Sequence, residues 1–274
     1  MKHERIYLNE NDDRVFIDTY VAELSEKRDA MLVIPGGGYG MVCTDKEGEP
    51  IALEFLAKGY NCFVLGYRCG REGDVYPAHI VDAGSAMIYI REHAAELKIN
   101  PNRVFAVGFS AGGHLCGSLA TMYAYPEVTA AFGEKAPMIR PTGVILAYPV
   151  TIARPNTHVG SFKNLLGKPL DEYTDDERNK FSLDTAVTKD SSPMFLWHTV
   201  EDKTVPVEGT LKLGLALTAV GVTYKMSIYP YGLHGVALAN ALTTKGRDEL
   251  IQPLAESWTK EADEWMKTLA SDNF

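Results

Sequence analysis

One pentapeptide restricts the possible folds of this chain more than any other feature: Gly108-Phe109-Ser110-Ala111-Gly112, a Gly-x-Ser-x-Gly element. It is preceded by Arg103-Val104-Phe105-Ala106-Val107, β-branched and aromatic enough for a buried strand. It is followed by Gly113-His114-Leu115-Cys116-Gly117-Ser118-Leu119-Ala120-Thr121-Met122, small and apolar enough for a helix. A serine on such a strand-to-helix turn is held in a strained, exposed position with its hydroxyl out of the sheet. Gly108 and Gly112 are expected to be small because larger side chains would collide with the neighbouring strand and helix. An ordinary glycine-rich turn between strand and helix is the bland alternative.

The surrounding pattern is that of a mostly parallel sheet. From Ala30 onward, strand-like segments alternate with helix-like ones. Strands are expected at Met31–Ile34, Cys62–Gly66, Val104–Gly108, Val144–Tyr148, Met194–His198 and Tyr224–Tyr229. Helices are expected at Pro50–Lys58, Ala78–Leu97, Ala111–Ala124, Val207–Val220 and Leu250–Leu269. Pro77, Pro101, Pro149 and Pro193 mark boundaries. Before Ala30, Arg5–Leu8 and Val15–Val21 read as an antiparallel hairpin across Asn9–Arg14. The polar stretch Thr151–Ser192, with a short helix near Glu172–Lys180, separates two sheet strands and reads as a small cap over a site. The expected fold class is therefore α/β: a doubly wound sheet with an N-terminal antiparallel hairpin, a single domain over 1–274 and a cap-like insertion at about 151–192.

Composition narrows the function. The 274 residues are 46% hydrophobic and 23% charged, enough for a full core. The net charge is −9 without a dense basic cluster, which argues against nucleic acid as a partner. The start, Met1-Lys2-His3-Glu4-Arg5, leads into polar residues rather than an apolar secretory core, and no window reaches the length of a membrane span. Cys43, Cys62, Cys69 and Cys116 lack CxxC spacing and read as reduced thiols. A cytoplasmic protein with no membrane partner is the expectation. Dimers are common by base rate, which leaves a homodimer open as an assembly without fixing it.

No HExxH or clustered Cys/His set supports a metal. The glycine run Pro35-Gly36-Gly37-Gly38-Tyr39-Gly40 fails as a dinucleotide fingerprint in each frame. From Gly36 the third position is Met41, from Gly38 it is Cys43, and from Gly37 the second is already Tyr39. No cofactor is expected.

A serine hydroxyl needs a base to become a nucleophile at neutral pH, and the base needs an orienting acid. In doubly wound hydrolases the partners follow in the order Ser, acid, His, each on a loop past the C-terminal end of a strand. Asp202 is the acid candidate, a short turn beyond Met194–His198. Glu201 is its main rival, with Asp184 and Asp190 further back. His234, in Tyr231-Gly232-Leu233-His234-Gly235, is the base candidate. His198 precedes Asp202, the wrong order, and His114 reads as a satisfied core histidine. His3, His79, His93 and His158 have no supporting context. Negative charge developing on a carbonyl oxygen would need backbone donors. The N–H of Ala111 at the helix start is one candidate, and the Pro35–Gly40 glycines offer the others.

With Pro35–Tyr39, Gly108–Gly112, Asp202 and His234 in place, the chain resembles the α/β-hydrolase serine esterases. It is similar to the branch of acetyl-xylan, feruloyl and "xylanase-like" carbohydrate esterases with a Pro-Gly-Gly-Gly-Tyr oxyanion loop. The likeness runs from about Ala30 to Leu269 and includes Gly108–Leu115, Tyr148-Pro149, Ser192–His198 and Val205-Pro206. It implies Ser110 as nucleophile, Asp202 as acid, His234 as base and Gly37, Gly38 and Ala111 as oxyanion donors. Pro35 stands where hormone-sensitive-lipase-like esterases have His, and Thr199 where the family usually has Gly. Hydrolysis of a small-molecule ester, acetyl esters of sugars foremost, is the implied activity, with Tyr39 and Tyr148 as rings to line a sugar site. Tyr67 reads as core. An amidase of the kynurenine formamidase kind, and a non-catalytic binding protein that has kept the fold, are the alternatives.

Overall fold

The computed structural model describes residues 1–270. Eight strands form one sheet in the order β1-β2-β4-β3-β5-β6-β7-β8. They are β1 (Arg5–Tyr7), β2 (Phe16–Tyr20), β3 (Arg28–Ile34), β4 (Tyr60–Gly66), β5 (Ile99–Phe109), β6 (Val144–Ala147), β7 (Met194–Thr199) and β8 (Tyr224–Tyr229). β1 and β2 are the expected hairpin, and β2 joins the sheet antiparallel to β4. From β4 to β8 every pairing is parallel.

The central strands carry continuous apolar runs, such as Ala30–Ile34, Val104–Val107 and Val144–Ala147, because helices cover both faces. Alternation sorts their side chains. Leu32 and Ile34 join the core that includes Leu115 and Leu213, whereas Met31 and Val33 join the one that includes Phe55 and Trp258. Helices Ala78–Glu92, Ala111–Thr121 and Glu208–Val220 contribute to the first core, and Glu49–Ala57 and Trp258–Met266 to the second.

Three expected helices are shorter. The helix expected at Ala78–Leu97 ends at Glu92, and the one expected at Ala111–Ala124 ends at Thr121. The last is broken: Asp248–Leu250 and Ala255–Ser257 are single 3₁₀ turns, and only Trp258–Met266 is α-helical. Pro253 explains this, because its ring excludes the helical conformation before it and donates no hydrogen bond.

The insertion between β6 and β7 holds helices Val159–Leu166, Asp175–Lys180 and Leu183–Ala186. Thr174 starts the middle one with a reciprocal cap: its hydroxyl accepts the Glu177 N–H at 3.1 Å, and the Glu177 carboxylate accepts the Thr174 N–H at 2.8 Å. Phe162, Leu165, Tyr173, Phe181 and Leu183 pack into the same core as one face of the sheet. The insertion therefore shares the hydrophobic core of the sheet and places its first helix beside the C-terminal ends of the strands.

Candidate active site

β5 ends at Phe109 and a helix begins at Ala111, so Ser110 is alone on the turn. Its φ of 53° and ψ of −119° are a strained combination for a residue with a side chain. The flanking glycines make room for it. A Cβ on Gly112 would overlap the carbonyl oxygens of Ile34 and Pro35, and one on Gly108 would overlap the Gly112 carbonyl. Parallel pairing of β5 with β3 and β6 directs this turn to the edge where the other loops emerge.

Those loops deliver His234 and Asp202. His234 Nε2 lies 2.9 Å from Ser110 Oγ, and its Nδ1 lies 2.6 Å from Asp202 Oδ2. A carboxylate only accepts, so Nδ1 carries the proton and bare Nε2 faces the serine hydroxyl. Asp202 is 4% exposed, and its Oδ1 accepts the N–H groups of Thr204 and Val205, each at 2.9 Å. Burial pushes the Asp202 carboxyl up, but hydrogen bonds from His198, His234 and the Val205 N–H outweigh it and hold the group well below the usual carboxylate range. The rival carboxylates are engaged elsewhere. Glu201 accepts the Gly232 N–H, Asp184 pairs with Arg154, and Asp190 pairs with Lys189.

His198 has a place that sequence order concealed. Its Nε2 donates to the Val205 carbonyl at 2.9 Å and approaches Asp202 Oδ2 at 3.2 Å, while Nδ1 accepts from the Thr210 hydroxyl. It braces Asp202 on the side away from His234. His114 is the satisfied core histidine expected: Nε2 donates to the Phe181 carbonyl and Nδ1 accepts from the Tyr39 hydroxyl at 2.7 Å. Burial pushes its pKa down to about 4.

The glycine loop folds across the front. Gly37 has φ 131°, and a Cβ there would overlap the Met41 carbonyl, so only glycine fits. The Gly36 N–H is bound to Glu47 Oε2 at 2.9 Å, which leaves Gly37 and Gly38 to present theirs. Together with Glu47, Ser110, His158, Thr204 and His234 they line a cavity of about 210 Å³. Ala111 is the first residue of its helix, so its N–H has no partner within the helix and is oriented with the positive end of the dipole.

Tyr39 and Tyr148 depart from expectation. Each is 1% exposed, and neither lines the cavity. The Tyr39 hydroxyl is bound to His114, and the Tyr148 hydroxyl donates to Glu47 Oε1 at 2.8 Å. Both rings lie beneath the site as support, Tyr39 from the glycine loop and Tyr148 from the end of β6, and each hydroxyl finds a buried partner. Tyr67 is core, as expected, with its hydroxyl on the Pro35 carbonyl. Sequence reasoning passed over Glu47 and His158. His158 comes from the insertion, where Nδ1 meets Ser161 Oγ at 2.8 Å and the ring forms part of the cavity wall. A carboxylate in the one-turn helix Thr44–Glu47 looks like an ordinary solvated cap, and a lone histidine in a polar loop carries no signal.

A parallel sheet with helices on both faces, a serine on its strand-to-helix turn and a histidine–aspartate pair on later loops defines an α/β-hydrolase. Residues 17–217 match the BD-FAE family model, and the chain belongs to that family. It is 41% identical over 218 residues to an endo-1,4-β-xylanase B of Butyrivibrio fibrisolvens, covering 78% of this chain and 33% of that protein. It is 31% identical over 235 residues to an acetylxylan esterase of Xylanibacter ruminicola, covering 84% of this chain and 45% of that protein. The chain thus spans less than half the length of these curated relatives. Among solved structures, an acetyl ester-xyloside bifunctional hydrolase from Caldicellulosiruptor lactoaceticus superposes with a TM-score of 0.82 at 31% identity, over 97% of this chain and 96% of that one. A carboxylesterase from Lactobacillus plantarum gives 0.83 at 27% identity, over 98% and 99%. Among the described residues no helix is long and apolar enough to cross a membrane.

Proposed function

We propose that this chain is a serine carboxylesterase that removes small acyl groups, acetyl foremost, from a sugar or similar alcohol. The observation that carries the reading is the continuous hydrogen-bonded array from Ser110 Oγ through His234 to Asp202, at the wall of a small cavity. The relatives named as acetylxylan esterase and acetyl ester hydrolase favour an acetylated sugar as the substrate class.

In the first half-reaction His234 Nε2 takes the Ser110 proton as Oγ attacks the ester carbonyl carbon. Asp202, ionised, holds the imidazole in the required tautomer and stabilises the imidazolium. The carbonyl oxygen becomes an oxyanion and accepts from the N–H groups of Gly37, Gly38 and Ala111. Each such donor is typically worth about 3–4 kcal/mol in the transition state. Collapse expels the alcohol, which leaves with the proton from His234. Water, deprotonated by the same nitrogen, then attacks the acyl-enzyme and releases the acid and free Ser110.

The test is an initial-rate panel on wild type and Ser110→Ala, with p-nitrophenyl acetate, butyrate and octanoate, acetylated xylo-oligosaccharide, methyl ferulate and N-formylkynurenine. Ser110-dependent acetate release from the sugar is the expected result. Turnover confined to the formamide would replace the esterase by an amidase.

A further inference from the structure

The cavity beside Ser110 is lined by a carboxylate, Glu47, that the acyl-transfer steps do not use. Glu47 is 3% exposed and holds a different segment of the site with each oxygen. Oε2 accepts the Gly36 N–H at 2.9 Å, at the base of the glycine loop. Oε1 accepts the Tyr148 hydroxyl at 2.8 Å. That hydroxyl in turn accepts the N–H of Ala237, in the His234 loop, at 3.1 Å. The Tyr148 ring stands edge-on to the His234 imidazole, with centroids 5.1 Å apart.

Burying a carboxylate is costly without a cation, and among the described residues no ion pair reaches Glu47. Its neighbour Lys46 uses its ammonium on the Gly235 carbonyl instead. The two donors meet different oxygens, Gly36 on Oε2 and Tyr148 on Oε1, and a carboxylate offers both positions as acceptors where an amide offers one.

We propose that Glu47 is a positioning residue that locks the oxyanion loop to the histidine loop through Tyr148. The Gly37 and Gly38 amides and His234 Nε2 then approach Ser110 in one fixed relation. The inference rests on the serine-hydrolase reading above. It goes beyond that reading by giving a role to a residue outside the reacting set.

Glu47→Gln is diagnostic because an amide has one acceptor oxygen where the carboxylate has two, so one of the two loops is released. Three quantities are measured: the rate of Ser110 phosphonylation by a fluorophosphonate, kcat and KM for p-nitrophenyl acetate, and the thermal midpoint. Small misplacements of reacting groups are costly, so phosphonylation and kcat should both fall at least about tenfold with KM within about twofold. Tyr148→Phe, which leaves the Gly36 bond intact, should give a similar loss. The double variant should be no more than about twofold worse than the weaker single, because both cut one chain of contacts.

Glu47→Gln at wild-type rates, or additive losses, would overturn the proposal. A raised KM at unchanged kcat would also overturn it, making Glu47 a substrate ligand. If Glu47→Gln does not fold, Tyr148→Phe carries the test. Phosphonylation assumes no particular acyl substrate. A wild type that is labelled but hydrolyses no ester therefore defeats the esterase reading and leaves the Glu47 test standing. A wild type that is never labelled defeats both.

Discussion

His234 Nδ1 lies 2.6 Å from Asp202 Oδ2, the same oxygen that His198 Nε2 approaches at 3.2 Å. Asp202 is thus held by imidazole donors on both sides, His198 and His234. Asp202→Asn keeps the size of the group but puts an N–H or a weaker acceptor against His234. The imidazole would then favour the tautomer with its proton towards Ser110, and kcat should fall by about 10⁴-fold. Glu201→Gln, whose oxygen caps the Gly232 N–H, should stay within about threefold of wild type. Steady-state rates for both variants decide this, and a harsher loss for Glu201→Gln would reassign the acid.

Tyr39→Phe tests the inward placement of that ring. The change removes the 2.7 Å contact to His114 Nδ1 and leaves a buried acceptor unpaired. Stability should drop by about 1–2 kcal/mol. KM for acetyl esters should not move, because the ring is outside the cavity. Urea midpoints beside KM values check this, and a raised KM with unaltered stability would restore the ring to substrate contact.

The tyrosines also mark where the sequence stops being readable. Ser110, Asp202 and His234 could be chosen because each follows a strand whose apolar run is unmistakable, and because chain order excludes His198 as the base. Which way a ring such as Tyr39, in the glycine loop, or Tyr148, after β6, turns depends on a partner distant in sequence, His114 or Glu47, that no local pattern announces. Glu47 itself was invisible for the same reason. Its importance lies in Gly36 and Tyr148, 11 and 101 residues away. The last helix is shorter than its pattern suggests because Leu250–Leu269 is periodic enough for one helix, while Pro253 breaks it.

Glu261 should make part of the stability acid-sensitive. Burial pushes its carboxyl up, but hydrogen bonds from Ser227, Tyr229 and Ser257, with Lys225 beside them, outweigh this and bring its pKa down to about 2. A carboxylate with a depressed folded pKa stabilises fully above its unfolded value and loses that contribution as pH falls through the folded one. The window here is therefore roughly pH 4.5 down to pH 2, and the contribution is on the order of 1 kcal/mol after allowance for solvent screening. Denaturant unfolding at pH 6 and pH 3 should show a larger drop for wild type than for Glu261→Gln. Equal drops would remove Glu261 from the acid response.

His158 is the point where the insertion meets the chemistry. Its ring lines the cavity with Ser110 and would lie 3.5 Å from a Cβ placed on Gly38. Burial, and after it the nearby His234, pushes the imidazole below its ordinary pKa, so at neutral pH it is an uncharged wall. A cavity of about 210 Å³ leaves little room beyond a short acyl group once the alcohol is bound. His158→Ala should therefore relax acyl selection with little effect on the reacting groups. The ratio of kcat/KM for p-nitrophenyl butyrate over acetate should rise by about five- to tenfold, at or below the low end of what a single methylene is worth in a pocket, because only part of the wall is removed. Acetate turnover itself should change by no more than about threefold, since Ser110, His234 and Asp202 keep their contacts. An unchanged ratio would show that acyl length is limited elsewhere on the wall. A collapse of acetate turnover would show that His158 takes part in the reaction.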